Sequence, residues 1–171
     1  IGFPSGGSGS NNYYSLIVSS AGKLRAQSSS ANTAVWAEAS TALSTGTWYH
    51  CVAVFTSATS RTVYLNGTAV SNTTSNTPGS VTETAIGELF NGAITDSVDG
   101  SIAYPTIWNV ALTSGDVTSL YNSGSGAIPT TVETSNVVSY SPFQGSTPWA
   151  DGVSTNTSTT TGSPTTGTAP F

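Results

Sequence analysis

The chain has eight carboxylates, one histidine and one cysteine, a sparse set for acid–base or soft-metal chemistry. Glycoside hydrolysis by a carboxylate pair needs two acids flanking one bond, about 5–9.5 Å apart. On a strand that requires even spacing, because successive side chains alternate between faces. Glu83 and Glu88 have odd spacing and would point to opposite faces of a strand, while Asp96 and Asp99 fall in a turn-rich stretch. A Ser-His-Asp triad would have to use His50, which lies within the aromatic run Trp48-Tyr49-His50. That setting suits a packed histidine better than a general base. One His and one Cys cannot supply the N/S ligand set of a zinc site. Cys51 reads as a small buried apolar residue, and alone it permits no intrachain disulfide. These residues argue against an enzyme.

Aromatic rings are the other source of binding chemistry. Their faces are apolar platforms on which sugar rings can stack, while amides and carboxylates take the hydroxyls. Trp36, Tyr13, Tyr14 and Trp149 sit in more polar contexts than Trp48 and Trp108, and are the candidate carbohydrate-binding residues. The competing reading is that all of them pack between sheets. Three sequons occur, at Asn66, Asn72 and Asn156. Asn66 is accounted for by a turn, which leaves Asn72 and Asn156 as candidate glycosylation sites.

The chain's 171 residues suffice for one domain with a core. Only 6% of them are charged, against about 25% in an ordinary domain. Ser, Thr, Asn and Gly stand in their place, so hydroxyls and amides solvate the surface. Weak like-charge repulsion tolerates close self-packing or heavy glycosylation. Lys23, Arg25 and Arg61 are the only bases, too few to track phosphates, which excludes nucleic acid as a partner. No apolar run approaches the ~18 residues of a membrane span, so membrane insertion is not expected. Methionine is absent even at position 1, which points to a processed or partial product.

The patterning is that of an all-β protein. Residues 1–12 are a Gly/Ser-rich, flexible lead-in. Tyr13–Val18 and Lys23–Gln27 flank a Ser-Ser-Ala-Gly turn and predict a hairpin. Ala34–Ala37 is a short strand. Thr47–Phe55 is apolar on both faces, as in a strand buried mid-sandwich. Asn66-Gly67 between apolar runs predicts a type I′ turn. Ser101–Trp108 is a further strand, with Pro105 marking an edge or bulge. Leu112–Tyr121 is the one predicted helix, capped by Thr113 or Ser114 with Asp116 near its positive end. Residues 124–171 form a Ser/Thr/Gly/Pro-rich extension with one strand near 137–143.

Taken together, Gly46-Thr47-Trp48-Tyr49-His50, Val63 through Val70 (VYLNGTAV), Asp99-Gly100-Ser101-Ile102-Ala103, Ile107-Trp108-Asn109 and Leu120-Tyr121-Asn122 resemble laminin-G-like domains. These belong to the concanavalin A-like lectin/glucanase jelly rolls, and the resemblance runs from about residue 13 to 123. It implies an antiparallel two-sheet β-sandwich with one short helix. It implies no single activity, since the fold serves adhesion, glycan binding, virion decoration and hydrolysis. The Glu-x-Asp-x-x-Glu pattern of the hydrolases is missing. Some relatives bind calcium through loop oxygens, which makes Asp96, Asp99 and Asn91 the candidate calcium ligands here. Relatives also carry one or two strands before the position of Tyr13. Residues 1–12, residues 137–143 or a neighbouring chain are the possible sources.

The expected function is a non-catalytic structural, decoration or adhesion module on a virion, extracellular filament or cell surface. Its partners are further copies or other surface proteins. A lectin-like domain that takes glycans is the alternative, with a glycoside hydrolase behind both.

Overall fold

The computed structural model describes residues 2–4, 12–81, 84–90 and 94–142. The chain divides into two compact units, Ile1–Asp99 and Gly100–Phe171.

In the first unit, β1 (Gly2–Pro4), β2 (Tyr13–Val18), β3 (Lys23–Ser30) and β4 (Thr33–Ala42) form an antiparallel sheet in that order. A second sheet holds β5 (Cys51–Ser57), β6 (Ser60–Leu65) and β7 (Thr68–Asn72), also in chain order. β8 (Glu88–Phe90) and β9 (Ile94–Ser97) pair as a separate antiparallel ladder, with Glu88 opposite Ser97 and Leu89 opposite Asp96.

The two larger sheets pack face to face because each strand alternates. Leu24 and Ala26 of β3 and Ala37 and Ala39 of β4 turn inward against Val63 and Leu65 of β6. Phe55, Ala53 and Cys51 of β5 pack on this cluster from the second sheet. The first sheet contributes mainly alanines, and Ala26 lies directly opposite Ala37. Its inner face is therefore shallow, and the valine and leucine of β6 fill it. Each such side chain, fully buried, is worth about 1.5–3 kcal/mol of transfer free energy. Tyr14 meets Phe55 across the sheets edge to face, ring centroids 4.9 Å apart. Val52, Val54 and Tyr64, on the opposite face of β5 and β6, are also buried. The second sheet is thus apolar on both faces, as the Thr47–Phe55 pattern predicts.

Turn chemistry sets the hairpins. Asn66 and Gly67 adopt φ of 49° and 76°, the left-handed pair that a type I′ turn demands. The turn between β3 and β4 is built the same way from Ala31 (φ 48°) and Asn32 (φ 68°). Ala-Asn is a weak turn signal without glycine. That is why the sequence predicts only a four-residue strand where β4 runs for ten.

Other expectations need correction. Gly2–Pro4, within the predicted flexible lead-in, pairs with Tyr13–Ser15 and supplies a strand ahead of Tyr13. The strand at the C-terminal end pairs elsewhere: β10 (Thr106–Trp108) joins β11 (Val137–Tyr140) antiparallel, with a bulge at Ile107/Trp108. Ser101–Pro105 is not strand. Tyr104, just before Pro105, has φ 51°, which breaks the extended run. The strand predicted from Thr47 begins only at Cys51. Before it, the Asn66 side chain takes the N–H of His50 at 2.9 Å, so a turn residue holds that stretch rather than a strand. Trp48 in consequence is 44% exposed.

In the second unit, α1 (Ser114–Tyr121) starts at a capping box. The Thr113 hydroxyl accepts from Asp116 N–H at 3.2 Å, and Asp116 accepts from Thr113 N–H at 2.7 Å. Val117 and Leu120 are its buried face. Asn122, Ser123 and Gly124, all at positive φ, end it. Thr113→Ala is expected to destabilise the domain by about 1 kcal/mol, read by urea denaturation. The same contacts hold the Asp116 carboxyl below its ordinary value, the Thr113 hydroxyl and N–H favouring the anion. Its folded value is the lower one. The contribution is therefore complete above the ordinary Asp range and is lost as pH falls through the folded value.

Candidate functional site

β4 is the outermost strand of its sheet: among the described residues it pairs with β3 alone. Its two-residue turn makes Ser30 and Thr33 a hydrogen-bonded pair, and such pairs alternate along an antiparallel ladder. Ser29–Ala34, Gln27–Trp36 and Arg25–Glu38 are then the non-bonded pairs. Ala34, Trp36 and Glu38 consequently aim their N–H and C=O groups outward, away from β3.

The same three residues put their side chains on the outer face of the sheet. Trp36 is 39% exposed. The Arg25 guanidinium carbon lies 4.4 Å from its ring centroid, within cation–π range. Arg25 Nε donates to Glu38 Oε2 at 2.6 Å, and Lys23 Nζ stands 3.9 Å from Glu38 Oε1. Two of the chain's three bases thus gather around one acid at this edge. A shallow, open recess of about 310 Å³ lies beside Trp36, lined by Ala34, Val35 and Asn72. A second, of about 240 Å³, adjoins Ser40, Thr41, Tyr49, Asn66 and Thr68. Apart from the ion cluster, the lining is neutral amides, hydroxyls and apolar groups.

The structure brings together two of the predicted residues, Trp36 and Asn72, at the first recess. Asn72 Oδ1 accepts from Arg61 Nη1 at 3.0 Å and from Thr74 N–H at 2.8 Å, so the sequon asparagine is tied into a local turn. Tyr13 and Tyr14 are not open platforms. Tyr13 is buried and its hydroxyl accepts from Gln27 Nε2 at 2.6 Å, and Tyr14 packs on Phe55. Both follow from β2 lying inside its sheet, between β1 and β3. Asp99 is exposed in a bend, and Asp96 is placed on β9 by its backbone. No group of three metal-capable side chains occurs among the described residues. Asn91, Trp149 and Asn156 lie outside the described residues.

Arg25, Lys23 and Glu38 did not stand out in the sequence as site residues. Their signal is legible only once Ala31-Asn32 is known to be a two-residue turn, which places Arg25 opposite Glu38.

The nucleophile candidates are packed groups. Burial holds His50 below its ordinary value, leaving a neutral imidazole at neutral pH. Burial pushes the Cys51 thiol up to about 11. Since the thiolate is the reactive form, Cys51 is expected to react with a disulfide reagent at pH 8 far more slowly than a free thiol. In urea it should react at the free-thiol rate.

The family described as the concanavalin A-like lectin/glucanases superfamily, in its laminin-G form, matches residues 2–118. No curated protein matches the chain in sequence. The crystal structure of an S-layer domain-containing protein from Clostridium thermocellum is similar at 23% identity with a TM-score of 0.42. That likeness covers 71% of this chain and 61% of the other, so this chain spans less than two thirds of that structure. Two facing antiparallel sheets, one short helix and a family match over most of the chain lead to one statement: it belongs to the concanavalin A-like lectin/glucanase superfamily.

Proposed function

We propose that this domain is a non-catalytic structural or adhesion module of an exposed surface, such as a cell envelope, an extracellular filament or a virion, and that it works by packing against protein. The observation that carries this reading is β4, a ten-residue edge strand with outward backbone groups. Edge strands are templates for pairing, and soluble proteins commonly blunt them with free charges, prolines or short length. β4 has no proline, and its single acid is already neutralised by Arg25 and Lys23. Three acids among the described residues are held in structural contacts, which supports a role without catalysis. Glu38 is ion-paired, Asp116 closes a cap, and Glu133 accepts from Asn136 Nδ2 at 2.7 Å.

A second reading is glycan binding, favoured by the exposed Trp36 ring beside a recess that holds Asn72. Light scattering on the purified chain, with a glycan array in parallel, separates the two. Assembly beyond the monomer, with no sugar retained, is the expected result. A monomer whose saturable sugar binding is lost in Trp36→Ala would overturn the packing reading in favour of a lectin.

A further inference from the structure

Resting on the packing reading above, we infer that the partner at β4 is a second copy of this chain, added antiparallel, edge to edge, about a two-fold axis. A two-fold contact requires a surface complementary to itself. The β4 edge meets that requirement, because it carries a base and an acid side by side. Arg25 covers the Trp36 ring, and Glu38 follows two residues along the same face of the strand.

Facing residues in an antiparallel pair share a sheet face, so the allowed registers step by two residues. The register with Glu38 opposite Glu38 sets like charges against each other, which is unfavourable. The register with Trp36 opposite the second copy's Glu38 does the reverse. Each Glu38 then lies across from a Trp36 ring already covered by an arginine, and the acid of each copy approaches the base of the other. The backbone agrees with this choice. Trp36 and Glu38 both aim their N–H and C=O groups outward, so each can exchange hydrogen bonds with the other across the axis. Ala37 faces Ala37 at the axis, and a methyl group fits the short approach of a non-hydrogen-bonded pair, about 4.5 Å between Cα atoms. The two four-stranded sheets become one continuous sheet, and both open edges are removed.

The test is a concentration series by light scattering on the wild-type chain and on Trp36→Pro, with far-UV circular dichroism to check folding. Proline at 36 removes only an outward N–H from the ladder. The expected result is a wild-type particle of twice the 17.3 kDa chain mass and a folded Trp36→Pro monomer. If the wild type and a folded Trp36→Pro assemble alike, the β4 contact is overturned while the packing reading stands. If the wild type stays monomeric at every concentration, the pairing of copies at β4 is overturned, and the packing reading falls with it only when that monomer also binds sugar saturably. Disulfide trapping in a Cys51→Ser background gives a second readout that does not depend on the proline variant. Mixing Trp36→Cys with Glu38→Cys chains should yield a covalent dimer faster than either variant alone. Equal or faster self-linking of Trp36→Cys would overturn the inference.

Discussion

Arg61→Met is expected to lower the free energy of unfolding by about 2–4 kcal/mol, seen as a lower urea midpoint at unchanged slope. Arg61 is 1% exposed at the start of β6. No carboxylate among the described residues pairs with it. Oxygens hold it instead: Nη1 donates to Asn72 Oδ1 at 3.0 Å and to Thr74 O at 2.9 Å, and Nη2 to Ala58 O at 3.0 Å. The side chain therefore ties the β5–β6 turn and the chain around the end of β7 to the start of β6. Two effects compete in the substitution. Removing a buried cation relieves desolvation, which already lowers the Arg61 pKa from its usual value. Against that, three acceptors lose charge-assisted bonds, each worth about 1.5–3 kcal/mol. Three bonds outweigh the relief, and so the sign is destabilising. Arg61→Lys should recover little of the loss, because one ammonium cannot span the three acceptors that the planar fork reaches.

Leu24→Ala is expected to cost about 2–5 kcal/mol, read by the same denaturation experiment. Leu24 is 3% exposed and belongs to the central cluster with Ala26, Ala37, Ala39, Val63 and Leu65. The fully buried members of that cluster on its own sheet, Ala26, Ala37 and Ala39, have no side-chain freedom with which to close a cavity. The upper half of the range is therefore the expectation. A loss near 2 kcal/mol would mean that Val63 and Leu65 move across the sheet gap to fill the space.

The sandwich was legible in the sequence because its strands obey a period of two and its best turn, Asn66-Gly67, declares itself. The helix was legible too, since Thr113 and Ser114 are N-cap residues and Asp116 suits its positive end; the structure selects Thr113 as the cap. What hid the site was one turn without glycine. Ala31 and Asn32 take positive φ where nothing in their type demands it, and with that turn unread, β4 shrank to four residues and the Arg25–Glu38 pair vanished. Trp36 stood in a more polar context than Trp48, and its ring is 39% exposed. The same criterion failed for Tyr13 and Tyr14, because a strand between two neighbours can be polar in sequence and still be covered. Trp48 failed in the opposite direction: the apolar run predicted burial, but the chain does not enter its sheet until Cys51.

The order of the strands in each sheet is also their order along the chain, with short turns joining β2 to β3, β3 to β4, β5 to β6 and β6 to β7. Each sheet of the sandwich is therefore a meander whose partners are already neighbours when the chain is unfolded. Loop-closure entropy is small for every one of these ladders, and only the docking of one meander on the other joins distant residues. Domains rich in local contacts fold faster than those built from non-local pairings. This sandwich should accordingly refold toward the fast end of the range for β-proteins, with sheet docking as its slow step.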